Sequence, residues 1–168
     1  MSHPLVMALF SDYASAEAAA RDARQLGIPR EDLSVVASNH QLEGTIANNA
    51  NASPGSELED SRPPGRVGEI IGLLVGAIAA GVPGIGAIVA AGPLSAELGE
   101  VAGHVAGNLS SILVKAGLSD EEADDWQRRI HAGAVLLGVH VRRVNASQVE
   151  AIFASHGVKR ILATEWED

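Results

Sequence analysis

Residues 133–166 read GAVLLGVHVRRVNASQVEAIFASHGVKRILATEW, and the order of signals in this stretch decides the fold. Val135, Leu136, Leu137, Val139 and Val141 crowd a short apolar run between Gly133 and Arg142-Arg143, as a buried strand does. Asn145 followed by Gln148 signals a helix start; Val149, Ile152 and Phe153 then recur at helical spacing until Gly157 stops them. Val158 to Trp166 returns to strand-like composition. The unit is β-α-β.

The same order opens the chain. Leu5 to Phe10 is apolar, Ser11-Asp12-Tyr13 breaks it, and Ala16, Ala19, Ala20, Ala23 and Leu26 share one helical face. Gly27 ends that helix, Pro29 prevents its continuation, and Leu33 to Ala37 is again strand-like. Leu26-Gly27-Ile28 matches His156-Gly157-Val158, so the two units form an internal repeat. Two right-handed β-α-β units close most simply into a four-stranded antiparallel sheet with both helices on one face, the ferredoxin-like arrangement. The expected fold class is therefore α+β, ferredoxin-like, with a large glycine-rich helical insertion between the halves. Residues 1–38 are the first half, 39–65 a flexible loop rich in Asn, Pro and Gly, 66–132 the helical insertion, and 133–168 the second half.

Within the insertion, Gly68, Gly72 and Gly76 recur four apart, then Ala80 and Gly84, and again Gly99, Gly103 and Gly107. On a helix this spacing forms one stripe of small residues against which another backbone can pack closely. The run from Ile70 to Ala96 carries no charge, and Pro83-Gly84 divides it into two short pieces, read as helices. A longer amphipathic helix is expected from Leu94 to Ala116. Ser119 and Glu122 then form a capping box ahead of a helix that runs to His131, with Ala123, Trp126 and Ile130 on its apolar face.

Composition excludes several functions. The net charge of −9 argues against binding a nucleic acid, which needs clustered Lys and Arg. The absence of cysteine removes disulfides, thiolate nucleophiles and Cys-ligated zinc. His3, His40, His104, His131, His140 and His156 show no i, i+4 pair, so no metal is expected. Gly81 to Gly86 lacks the Lys-Ser/Thr of a phosphate loop and the preceding strand of a dinucleotide fingerprint, so no cofactor is expected. Asp120, Glu121, Glu122, Asp124 and Asp125 crowd a helix start, where the helix dipole favours negative charge. Arg128-Arg129, Arg142-Arg143 and Lys159-Arg160 are basic pairs suited to a solvated surface or a weak anion contact. No catalytic residue emerges. Met1 to Phe10 has no basic leader and reads as a strand, so the expected location is cytoplasmic.

Three stretches together resemble the bacterial general stress protein family, the heat-induced type with a glycine-rich central segment. They are LVMALFSDYASAEAAARDARQLGIPREDLSVVAS at 5–38, GVPGIGAIVAAGPLSAELG at 81–99, and AGLSDEEADDWQRRIHAGAVLLGVHV at 116–141. The resemblance implies a ferredoxin-like domain, a link to stress response and a central segment suspected of membrane association; it implies no activity. The expected function is a non-enzymatic stress-response protein that self-associates as a homo-oligomer through its glycine-zipper helices. Membrane contact by a helical hairpin at residues 70–96 is the alternative, and a small-ligand site on the open face of the sheet a further one.

Overall fold

The computed structural model describes residues 2–38, 78–82, 86–94, 105–142 and 144–167. In chain order the elements are β1 (Ser2–Phe10), α1 (Tyr13–Gln25), β2 (Leu33–Ser38), β3 (Ile78–Val82), β4 (Gly86–Ala91), α2 (Val105–Lys115), α3 (Asp120–His131), β5 (Val135–His140), α4 (Ala146–Ser155) and β6 (Ile161–Glu167). The chain is a mixed α+β protein. The four strands of the two repeated halves form an antiparallel sheet in the order β2-β5-β1-β6, and β4 then β3 extend it beyond β2. The loop expected at 39–65 lies outside the described residues.

The repeat is visible in the caps. Asp12 accepts from the Ser15 N–H at 2.7 Å to start α1, and Asn145 accepts from the Ser147 N–H at 3.1 Å to start α4. Gly27 and Gly157, directly beyond the two helix ends, take φ of +91° and +83°, the left-handed conformation that closes a helix. The capping box at α3 is complete: the Ser119 hydroxyl accepts from the Glu122 N–H at 3.2 Å, and the Glu122 carboxylate accepts from the Ser119 N–H at 3.0 Å. Ser119→Ala is expected to cost about 1 kcal/mol in urea unfolding. The Ser119 amide, aided by the Arg160 charge and the Ser119 hydroxyl, holds the Glu122 carboxyl below the usual glutamate range. A carboxyl depressed in the folded state stabilises above its unfolded value and loses that contribution as the pH falls through its folded one. Glu122→Gln should flatten this part of the acid limb, read as unfolding midpoints at neutral pH and below the glutamate range.

Strand alternation divides the apolar side chains into two layers. Val6, Ala8 and Phe10 of β1 face α1 and α4, joined by Leu33, Val35, Val135, Leu137, Val139 and the four buried alanines of α1. Phe10 and Phe153 meet edge to face at 5.4 Å within this layer. Leu5 and Met7 face the other way, where Leu109, Ile112 and Leu113 of α2 and Ala123, Trp126 and Ile130 of α3 bury them. The sheet is therefore covered on both sides. The open sheet face expected as a ligand site is instead the bed of the inserted helices.

The helical insertion expected at 66–132 needs correction. Residues 78–82 and 86–91 are strands, a hairpin in which Val82 pairs with Gly86 and Ile78 with Ala90. Over 78–82 and 86–91 the helices expected within 70–96 are therefore replaced by strands, and the rest of that stretch lies largely outside the described residues. Among the described residues no helix is long and apolar enough to cross a membrane. Two physical causes explain the difference. A spacing of four is one stripe on a helix, but it is also an even number, so the same residues share one face of a strand. The edge of β2 not used by β5 also offers backbone donors and acceptors, which β4 satisfies with Val35 opposite Ala91 and Ser38 opposite Ile88. Glycine weakens a helix by about 1 kcal/mol relative to alanine, so pairing decides.

Candidate functional site

Of the glycines expected to carry self-association, Gly107 lies in α2. Gly68, Gly72, Gly76, Gly84, Gly99 and Gly103 lie outside the described residues, as do His40 and His104. The structure instead assembles two side-chain groupings that spacing along the chain did not reveal.

The first lies between the sheet and the α2–α3 layer. His140 is wholly buried, and its Nδ1 stands 2.9 Å from Nε2 of His3, while its Nε2 stands 3.1 Å from the Ser34 hydroxyl. The Leu94 N–H donates to the same hydroxyl oxygen at 3.1 Å, and the Trp166 ring meets the His140 ring edge-on at 5.5 Å. With the Leu94 amide donating to it, the Ser34 hydroxyl can give its own proton to His140 Nε2; His140 then carries a proton on Nδ1 and donates to His3. A hydroxyl on an imidazole that is held by a second imidazole has the connectivity of an activated nucleophile. Ser34 and His140 are both 0% exposed, so the arrangement is sealed from solvent. The chain of contacts ties β2, β5, β1 and the segment at Leu94 to one another. His140→Leu is expected to cost about 2–3 kcal/mol, since it strands buried polar partners. Ser34→Ala with His140→Leu should cost clearly less than the sum of the single losses; strict additivity in the cycle would deny the contact.

The second grouping is accessible. A cleft of about 450 Å³ opens where the end of β1, the end of α3 and the α4–β6 connection meet, lined among others by Ser11, Trp126, Arg129, His156, Lys159 and Arg160. Two of the three basic pairs thus contribute to one place, while Arg142 pairs with Asp32 at 3.0 Å. Its basic side chains largely have partners already. Arg129 contacts Asp125 at 2.8 Å, Arg160 stands 3.6 Å from Glu122, and His156 meets Asp22 at 2.8 Å. The C-terminal ends of α3 and α4, which adjoin the cleft, add negative partial charge. An anion entering here would compete with those carboxylates, so the cleft suits at most weak anion contact. His131, at the end of α3, has a buried Nε2, and burial pushes its imidazole below the usual range. No group of three or more His, Asp or Glu among the described residues is arranged to hold a metal ion.

Of the carboxylates at the start of α3, Glu122 closes the capping box and Asp125 pairs with Arg128 and Arg129 on the same helix. Comparison with family models, curated proteins and solved structures returned no match, so nothing there identifies the stress-protein family that the sequence resembles.

Proposed function

We propose that this chain is a non-enzymatic protein of the general stress type, acting by self-association on a ferredoxin-like scaffold. The order β2-β5-β1-β6, with α1 and α4 on one face, supports the ferredoxin-like reading, and the glycine-rich segment adds a hairpin and a second helical layer to it. One observation carries the functional reading. The side-chain arrangement that has a nucleophile's connectivity is sealed, whereas the sheet has two margins, β3 and β6, each paired on a single side among the described residues. Strand margins of this kind are where a second chain adds.

Gly107 and Ser111 lie on one stripe of α2, turned away from Leu109, Ile112 and Leu113, which are buried against the sheet. That geometry keeps a glycine-zipper contact between α2 helices compatible with the fold, beside the contacts that strand margins make. Sedimentation velocity of the full chain at tens of micromolar tests the proposal. A dimer or larger species is expected; a monomer at every concentration overturns self-association, and turnover of a substrate by the purified chain overturns the non-enzymatic reading.

A further inference from the structure

We infer that β6 pairs antiparallel with β6 of a second copy of this chain, about a twofold axis at Ala163. The inference rests on the self-association proposed above and assigns it a surface.

The backbone direction comes first. The Val141 N–H donates to the Pro4 carbonyl at 2.7 Å, so Pro4 aims its backbone groups toward β5, and by alternation Leu5 aims its own toward β6. Leu5 pairs with Thr164, so Leu162, Thr164 and Trp166 direct their backbone groups at β1. Ile161, Ala163, Glu165 and Glu167 therefore direct theirs at the outer margin. They face away from β1, and β6 ends the described sheet.

Register follows from symmetry. A twofold axis perpendicular to the sheet keeps each face on its own side, so directly opposed residues must both be odd-numbered or both even-numbered. Every register centred on a residue satisfies this; near the middle of the strand the centres are Ala163, Thr164 and Glu165, and centring on Glu165 would set like carboxylates against each other. Centring on Thr164 opposes Glu167 to Ile161 and Glu165 to Ala163, which sets both carboxylates against apolar residues. Centring on Ala163 leaves only Glu165 against an apolar residue, Ile161, and brings Lys159 opposite Glu167 and Arg160 opposite Trp166, each twice. An ammonium then meets a carboxylate and a guanidinium meets an indole.

The charge distribution makes the second copy the fitting occupant. Lys159 and Arg160 precede the strand and Glu165 and Glu167 end it, so antiparallel pairing matches unlike ends and parallel pairing would set like on like. Lys159 is exposed and has no ion-pair partner among the described residues, while Glu165 accepts from the Ser2 hydroxyl of its own chain. On a chain of net charge −9, this margin is a local exception to general repulsion between copies.

Sedimentation equilibrium on the full chain tests the assignment with four variants. Lys159→Glu and Glu167→Lys should each weaken dimerisation about tenfold or more, through loss of two attractive pairs and gain of two repulsive ones. The combined Lys159→Glu/Glu167→Lys chain should return close to the wild-type constant, which a loss of folding would not do. Ala163→Pro removes an outward N–H at the axis and no bond to β1, and should yield a monomer with an unchanged circular dichroism spectrum. A wild-type monomer would overturn both the self-association and this surface. A wild-type dimer indifferent to all four variants would leave self-association standing and overturn the β6 margin as its site. Dimers weakened by each single reversal and not restored by the combined one would overturn the Ala163 register.

Discussion

Gly92→Ala is expected to destabilise the protein by more than about 3 kcal/mol, an effect at the upper end for a single methyl group. Gly92 follows β4 with φ of +84°, and a Cβ built on it would stand 1.9 Å from the Leu33 carbonyl oxygen and 2.8 Å from the Ser34 Cα. Those are backbone atoms of a central strand that is bonded on both edges, so neither can move aside without breaking the β2–β4 or β2–β5 ladder. Two residues on, Leu94 is buried to 2% exposure and passes over Gly138 of β5, where a Cβ would meet Leu94 Cδ1 at 3.2 Å. The close approach at Gly92 is thus what seats Leu94 on the sheet and brings its N–H to Ser34. The urea unfolding midpoint measures the loss. A decrease below about 1 kcal/mol would mean that the insertion does not dock on β2 as described.

Leu113→Ala is expected to lose about 2–5 kcal/mol in a single cooperative transition. Leu113 belongs to α2, far in the chain from β1, yet it is 0% exposed and sits in the same apolar cluster as Leu5 and Met7 of β1 and Leu136 of β5. Removing its branched end leaves a cavity between the α2–α3 layer and the sheet that the β-rich floor cannot collapse to fill. Phe153→Ala, on the opposite face, is expected to cost a comparable 3–5 kcal/mol. The comparison is diagnostic. If the insertion were an appendage, Leu113→Ala would split unfolding into two steps and leave the repeated halves at wild-type stability. One transition, shifted as a whole, is expected because both faces of one sheet depend on both helical layers.

How much was legible along the chain differs by element, for local reasons. The caps at Ser119 and Asn145, the glycine stops at Gly27 and Gly157, and the helical stripe of Ala123, Trp126 and Ile130 are each written within a few residues, and each stands where its pattern predicts. The antiparallel sheet followed because two such units leave few ways to close. Residues 78–82 and 86–91 are strands where the sequence predicts helix, because the deciding factor, the β2 margin that β4 pairs with, is distant in the chain.

The buried polar grouping was illegible for a related reason. His3 and His140 are separated by 137 residues, and Ser34 and His140 by 106, and no motif spans such distances. Only the register of β1 and β2 against β5 aligns them. The meeting of Trp126, Arg129, Lys159 and Arg160 around one cleft likewise needs the end of α3 brought beside the start of β6.

By itself, the amino-acid sequence determined the two β-α-β runs of elements and their helix boundaries, because periodicity, caps and breakers act within one or two turns of chain. Tertiary structure alone decided three things: that glycine-rich residues extend the sheet, that α2 and α3 close its second face, and that Ser34, His140 and His3 share one sealed contact. Each depends on which backbone margin or apolar face is left unsatisfied by the rest of the fold, a quantity that exists only once the strands are in register.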